Sequence, residues 1–477
     1  MGNYDVVIKN GIVVDTENEE IIYKNIGILG NKIAKITDDN IIGKTEIDAR
    51  GLIVSPGFID IHAHIDGHSE CSRLSAMQGV TTTVGGNCGG GPLDLKGFFI
   101  DQEKNGFLIN QAQLIGHSFT LRAAVGINNP YISASKEEIC KMSDITEKSF
   151  KNGAIGLSFG IEYAPGSSKE EIMTLSKIAK KYNKVVPIHT NVNLPRDLTS
   201  LRHAIEICKC TGAHVLISHF VYQYGTGIMT EALDMVDDAR KKGLKVSVDS
   251  GMYSAFSTFI GSTIYDEDYI KKLGWKYENM LVATGKYKGK RLTSQIYNEL
   301  RNYSKDESVI CFAGVEEEVY EALKKDYVML SSDTGPSPTG KTSEGHPQNA
   351  GTFPRFFRKM VRERKDLTLI QAVRKCTILP AMTLGLLSKG RMREGADADI
   401  VIFDINKICD TAKFPDVGMP DSKPEGIPYV MVSGKLIIKN NDFVGNVMPG
   451  RCICDLSTCE GYKASAKITT SKYPKNS

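Results

Sequence analysis

Residues 57–64 read Gly-Phe-Ile-Asp-Ile-His-Ala-His, a short apolar run that ends in two histidines one residue apart. Side chains at i and i+2 of a strand point to the same face. If residues 58–61 finish a strand, His62 and His64 leave its C-terminal end side by side. Two imidazoles so placed grip one divalent metal. Two ordinary histidines at a strand-to-loop junction would read the same, because short motifs are loose. The rest of the chain decides between the two.

Outward from this stretch, from about residue 57 to 385, strand-like runs alternate with helical periodicity. Strands are predicted at 58–61, 81–84, 121–125, 154–159, 185–189, 215–219, 244–249 and 327–333. Between them, Leu201, Ala204, Ile205 and Cys208 recur at helical spacing, as do Ile172, Leu175, Ile178, Ala179 and Tyr182. Strands alternating with helices mean parallel β-α units, and eight such strands predict an α/β fold built on a (β/α)8 TIM-like barrel over residues 56–385. Residues 255–325 do not fit one unit and read as an insertion over the barrel mouth, a lid. Residues 334–352 are rich in Gly, Pro, Ser and Thr and follow a predicted strand, so a functional loop is expected there.

Both chain ends have β texture. Residues 4–15 carry two β-branched runs around Asn10-Gly11, a hairpin signal. Residues 26–29 and 32–36, separated by Gly-Asn, predict a second hairpin. Strand-like runs return at 398–404 and 429–438. A small β-sandwich domain is therefore expected from 1–55 together with 386–455, with 460–477 a flexible tail.

The 477 residues suit a large α/β domain with a smaller companion. A formal net charge of +3 without a compact basic tract gives no reason to expect nucleic acid or a membrane surface as partner. No apolar run is long enough to span a bilayer, and no export signal precedes the first strand pattern. A cytoplasmic protein is expected, with a small-molecule substrate and an oligomer left open. The 11 cysteines are scattered, which suits reduced thiols filling cores. The cluster Cys452, Cys454 and Cys459 is read in the same way. The glycine-rich run 85–91 lacks the Gly-Lys-Ser/Thr ending of a phosphate loop. Its glycines are expected to let the chain turn sharply so that Cys88 faces a metal.

Catalytic groups of a parallel barrel sit at the C-terminal ends of its strands. His62 and His64 end the first predicted strand, Cys88 follows the second, His189 ends the fifth, His219 the sixth and Asp333 the eighth. Four of the chain's 9 histidines fall at these ends. Imidazole nitrogens with a thiolate suit Zn²⁺, and zinc lowers the pKa of bound water to about 7. Asp333 is placed to take a proton from the attacking water and pass it to the leaving group. Alone, it would read as a helix cap or an Asx turn before Thr-Gly-Pro.

This layout resembles the amidohydrolase superfamily and, within it, the D-aminoacylases, the N-acyl-D-amino-acid deacylases. The resemblance rests on Pro-Gly-Phe-Ile-Asp-Ile-His-Ala-His at 56–64, Gly-Val-Thr-Thr-Thr-Val-Gly-Gly-Asn-Cys-Gly at 79–89 and Gly-Leu-Ser-Phe-Gly-Ile-Glu-Tyr-Ala-Pro-Gly at 156–166. Ser-Asp at 332–333, His-Pro at 346–347, Gly-Thr-Phe-Pro-Arg at 351–355 and Gly-Ala-Asp-Ala-Asp-Ile-Val-Ile-Phe-Asp at 395–404 extend it over nearly the whole chain. It implies that Cys88, His189 and His219 hold a tight zinc. His62 and His64, with Cys88 and Asp333, would form a second, weaker position. Asp333 would be the general base and then the general acid. It also implies substrate contacts at Tyr163, Asn191, Tyr253 and Gln348.

The sequence departs from that family at the positions that recognise substrate. Asn191 and Gln348 stand where the deacylases carry arginines, and Gly251-Met252-Tyr253 stands where they carry Tyr-Pro-Tyr. Arginine is the usual bidentate clamp for a carboxylate, so another cation such as Arg196, Lys341 or Arg355 would have to replace it. The expected activity is zinc-dependent hydrolysis of a non-peptide amide C–N bond in an N-acyl-(D-)amino acid or a relative of one. The alternatives are a cyclic amide hydrolase of the hydantoinase or dihydroorotase kind, which needs no carboxylate clamp, and a non-catalytic barrel scaffold.

Overall fold

The computed structural model describes residues 4–337, 339–340 and 343–454. Its centre is a set of parallel strands, named here β1 (Phe58–Asp60), β2 (Val80–Gly85), β3 (Asn110–Gln113, resumed at Ile115–Gly116), β4 (Leu157–Gly160), β5 (Val185–His189), β6 (His214–Ile217), β7 (Val246–Ser250) and β8 (Val328–Leu330). Each pairs with its neighbour in chain order. Just beyond the ends of β8 and β1 the chain is tied across: Asp333 N donates to His62 O at 2.9 Å and His64 N to Thr334 O at 2.7 Å. The last and first strands therefore meet where the histidines emerge.

Seven of the eight strands overlap the runs predicted for them. The third does not. Residues 121–125 lie on helical turns, His117–Leu121 and Arg122–Ala124, and Arg122 is buried against Glu171 at 2.7 Å. The strand is the polar stretch Asn110-Gln-Ala-Gln. Most of its amide groups have partners: Asn110 Nδ2 donates to Thr81 O and Asp399 Oδ2, both at 3.0 Å, and Gln113 to the half-buried Asp66, while Gln111 Oε1 has none among the described residues. Satisfied polar groups bury without penalty, so a strand that reads as a loop sits in the middle of the fold.

Helices between the strands begin as their sequences dictate. Lys136–Lys151 and Lys169–Lys181 each start with a Ser-x-x-Glu capping box, from Ser135 to Glu138 and from Ser168 to Glu171. The insertion after β7 is a three-stranded antiparallel sheet of Phe256–Phe259, Ser308–Cys311 and Met280–Val282 with its own apolar core around Tyr265, Met280, Val309 and Cys311. The insertion stops short of 325: helix Glu316–Lys324 buries Val319, Ala322 and Leu323 in the main core.

Strands from both chain ends share one sheet. Ile12–Asp15, Glu20–Ile22 and Ile53–Pro56 join Ile400–Phe403, Tyr429–Val432, Lys435–Lys439 and Asp442–Phe443. A second sheet, Lys32–Thr37, Asn25–Leu29, Tyr4–Lys9 and Gly43–Asp48, shares a core with it through Ile8, Ile28 and Ile47 on one side and Val13, Val54 and Ile400 on the other. The hairpin expected at residues 4–15 does not form. Asn10 turns with φ 62°, but Tyr4–Lys9 and Ile12–Asp15 pair within different sheets. Both runs have apolar residues to bury, and crossing between layers buries both. The expected hairpin at 26–36 is present.

Phe58, fully buried on β1, stacks on Phe353 and Phe357 at 5.4 and 5.2 Å and approaches Phe403 at 6.0 Å, fastening the parallel strands to the flanking sheet. Among the described residues no helix is long and apolar enough to cross a membrane. Cys452 and Cys454 are partly buried, and Cys452–Ile453 pairs beside β3. Cys459, Lys341 and the tail 460–477 lie outside the described residues.

Candidate metal centre

Six side chains expected at strand ends converge. Their donor atoms fall into three overlapping groups: His62, His64 and Cys88; Cys88, His189 and His219; His62, His219 and Asp333, with the atoms of each group within 4.8 Å of one another. Cys88 Sγ lies 3.2 Å from His189 Nδ1 and 3.4 Å from both His62 Nε2 and His219 Nε2. His219 Nε2 is 2.9 Å from His189 Nδ1. Asp333 Oδ1 is 3.1 Å from His64 Nε2 and 3.5 Å from His62 Nε2.

The backbone bends to bring this about. Cys88, His219 and Asp333 adopt φ of 52°, 29° and 58°. Such values cost non-glycine residues energy and persist where the surroundings impose them. Around Cys88 the turn needs glycine. A Cβ on Gly89 (φ 79°) would meet Ser118 N at 2.5 Å, and one on Gly160 would meet Cys88 O at 2.2 Å. His219 is held by its own N–H, which donates to Asp249 Oδ1 at 2.8 Å.

A further layer orients the rings. Glu162 Oε2 accepts from His189 Nε2 at 2.8 Å, and Gln223 Oε1 faces His219 Nδ1 at 2.9 Å. A proton fixed on the outward nitrogen leaves the inward lone pair free, as metal ligation requires. His62 Nδ1 faces Asp249 Oδ2 at 3.6 Å, and neither atom has a hydrogen-bond partner among the described residues. The sequence did not mark Glu162, Gln223 or Asp249 for this work. Glu162 lies within the 156–166 stretch, but no spacing rule separates it from a surface glutamate.

The electrostatics follow from crowding. Burial pushes the Cys88 thiol up, yet the imidazoles of His189, His62 and His219 pull it down harder, well below its usual range. Burial opposes protonation of His189, but Cys88 and Glu162 outweigh it and raise the ring to about 9. Asp333 is likewise buried, and the hydrogen bond from His64 with the charges of His219 and His62 holds it below the ordinary carboxylate range. The site thus favours a thiolate and a carboxylate, the ionised forms that bind cations.

The donor set fits zinc. Ligands about 2.3 Å (sulfur) and 2.0–2.1 Å (nitrogen) from a tetrahedral ion stand about 3.3–3.6 Å apart. The sulfur–nitrogen separations of 3.2–3.4 Å lie close to that spacing before any ion draws on them.

Beside this cluster opens a cavity of about 400 Å³. Its walls are aromatic, with Phe119, Tyr163, Tyr222, Phe256, Phe259 and Trp275, and three of these six, Phe256, Phe259 and Trp275, come from the insertion. Of the four expected substrate contacts, Tyr163 lines the cavity. Asn191 does not: its amide bonds Asn193 within its own loop at 2.9 Å. Nor does Tyr253, whose ring is buried between Arg355 and the edges of His346 and Phe414. Gln348 is buried behind the cavity. It accepts from Tyr222 OH at 2.6 Å and donates to Asp333 O at 3.0 Å and Glu344 Oε1 at 2.6 Å. Two of the three replacement cations are engaged elsewhere, Arg196 with Gly227 O and Glu231, and Arg355 with Glu316 at 3.0 Å.

Residues 53–437 match the model of the amidohydrolase family. The D-aminoacylase of Alcaligenes xylosoxydans xylosoxydans is 30% identical over 93% of this chain and 96% of its own length. A crystal structure of N-acyl-D-glutamate deacylase from Bordetella bronchiseptica, complexed with zinc and a phosphonate inhibitor, superposes with a TM-score of 0.84 at 25% identity, covering 94% of this chain and 99% of that one. The L-hydantoinase of Arthrobacter aurescens covers 94% of this chain and 100% of its own with a TM-score of 0.63 at 17% identity, a likeness of fold alone. With a TIM-like barrel, a second β domain and the His/Cys/Asp cluster at the strand ends, this chain is a metal-dependent hydrolase of the amidohydrolase family, on the D-aminoacylase branch.

Proposed function

We propose that the protein is a zinc-dependent hydrolase of a linear, non-peptide amide, removing the acyl group from an N-acyl amino acid of D configuration or a compound related to one. The convergence of Cys88, His189, His219, His62, His64 and Asp333 beside an aromatic cavity carries this reading. A complete donor set argues against a non-catalytic scaffold. The deacylases are nearer in both sequence and structure than the hydantoinase, which favours a linear over a cyclic amide.

In this reading Cys88, His189 and His219 hold the tighter ion, and His62 and His64 with Cys88 and Asp333 offer a weaker second position. When bound, the ion supplies Lewis acidity to a carbonyl oxygen and acidifies water. Asp333, buried and held ionised by His64, takes the water proton on its carboxylate and returns it to the departing nitrogen. Glu162 and Gln223 keep His189 and His219 in the ligating tautomer. The aromatic walls exclude water and hold the apolar half of the substrate.

The same proposal includes the architecture. The eight parallel strands close into a (β/α)8 barrel, supported by the two hydrogen bonds between the ends of β8 and β1, and residues 1–55 with 386–455 make up one β-sandwich domain.

Asp333→Asn tests the chemistry. It should abolish turnover of N-acyl-D-amino acids while bound zinc, measured by atomic emission, stays at the wild-type level. Full activity in that variant would exclude Asp333 as the proton carrier.

A further inference from the structure

Among the described residues that line the cavity, none is a lysine or an arginine. Apart from the imidazoles and thiol of the metal cluster and the phenols of its walls, its ionisable groups are the carboxyls of Glu162, Asp333 and Glu344. Glu162 is taken up by His189 and by Tyr269 OH at 2.6 Å, and Asp333 by His64. Glu344 is the exception. It lines the cavity half-buried, Gln348 Nε2 occupies its Oε1 at 2.6 Å, and no cationic side chain among the described residues pairs with it, so that burial and the neighbouring Asp333 carboxylate push its carboxyl well above the usual range. Gln348 has no donor left to offer a substrate, because its amide nitrogen already serves Asp333 O and Glu344 and its oxygen accepts from Tyr222. Away from the metal cluster, a carboxylate entering this cavity meets, among the described residues, carboxylates and aromatic rings and no lysine or arginine. A cation meets the reverse: an acceptor at Glu344 and a wall that includes the rings of Tyr222, Phe256 and Trp275, residue types whose π systems attract positive charge.

We propose that the site selects amides whose amine half carries an ammonium group in place of a free carboxylate, with the Glu344 carboxyl group gaining in that ammonium the cationic partner it lacks and the aromatic walls holding the apolar remainder. This rests on the amide-hydrolase reading above. The reaction is unchanged: water adds to the carbonyl, the C–N bond breaks, and a carboxylic acid and an amine leave.

The test uses two matched substrates with the zinc-loaded protein. One is N-acetyl-D-phenylalanine. The other is the same skeleton with CH2NH3+ replacing the carboxylate, acetylated on the same nitrogen. The ammonium member should have the higher kcat/KM by about tenfold or more, the scale of one charge-assisted contact. Glu344→Gln should bring the ratio toward one, mainly through KM, and Glu344→Lys should invert it. Binding of the two deacylated amines, followed by calorimetry, should rank in the same order without any turnover. A wild-type ratio of one or below overturns the inference, as does a preference that survives Glu344→Gln. Loss of a carboxylate preference in Lys341→Met would identify that lysine as the clamp and overturn it too. If neither amide is hydrolysed but the diamine still binds more tightly through Glu344, the hydrolase reading falls and the recognition stands.

Discussion

Cys88 Sγ lies 3.2 Å from His189 Nδ1, although 101 positions of chain separate the two residues. The contact exists because Cys88 is bent to φ 52° while β5 delivers His189 from the neighbouring wall. Strain on one partner and a regular strand under the other is an economical way to fix a metal ligand, since the strand cannot yield.

The strain predicts the effect of filling the turn. Gly89→Ala would place a Cβ 2.5 Å from Ser118 N at φ 79°. Left-handed backbone alone costs a non-glycine residue about 1–2 kcal/mol. The variant should unfold at lower denaturant and also bind zinc less tightly, because relief of the clash moves Cys88. Chemical denaturation with a zinc-competition assay reads both effects. Unchanged zinc affinity would mean that the turn does not position the thiolate.

Glu162→Gln separates orientation from ligation. The amide preserves shape but no longer demands the proton of His189 Nε2. Outer-layer partners of ligating histidines are worth about 10–100-fold in metal affinity, and a loss in that range is expected by competition with a chelator of known strength. An unaltered affinity would show that His189 needs no carboxylate behind it.

Phe58→Ala addresses the join between the parallel strands and the flanking sheet. Phe58 is 0% exposed and packs on Phe353, Phe357 and Phe403. Truncation of a buried Phe costs about 3–5 kcal/mol. The denaturation midpoint should drop accordingly, and His62, only four residues on, should lose its register, lowering zinc content at the same time.

Acid should destabilise the fold through His214. Burial, then the charges of Lys245 and Arg240, depress its ring from 6.5 to about 4, and its Nε2 bonds Ser247 Oγ at 2.7 Å. Between those two values the unfolded chain binds a proton that the native ring refuses. Stability is therefore retained above pH 6.5 and lost as pH falls toward 4. Denaturation of the chelated protein at pH 7 and pH 5 checks this without a contribution from metal loss. His214→Gln should flatten the difference, and an equally steep dependence in the variant would place the acid sensitivity elsewhere.

The clustered side chains were legible in the sequence because each follows a strand-like run, as His189 follows Val-Val-Pro-Ile. A strand end is where a parallel barrel presents its chemistry. Asn110–Gln113 was not legible, because burial of its amides depends on partners such as Thr81 and Asp399 that are remote in sequence. The same holds for Glu162 and Gln223, which act through rings and leave no periodic trace. Asn191 and Gln348 were marked by the family resemblance alone, with no pattern of their own in the sequence. A shorter, neutral side chain in place of an arginine is free to bond its own surroundings, and both do.

The central claim is that a thiolate and imidazoles from separate strands share one ion. X-ray absorption at the zinc edge of the zinc-loaded protein tests it most directly. The spectrum should contain a sulfur scatterer at about 2.3 Å together with nitrogen or oxygen at about 2.0–2.1 Å, and the sulfur should vanish in Cys88→Ser. A shell of nitrogen and oxygen alone in the wild type, or a protein that retains no zinc after desalting, would contradict it.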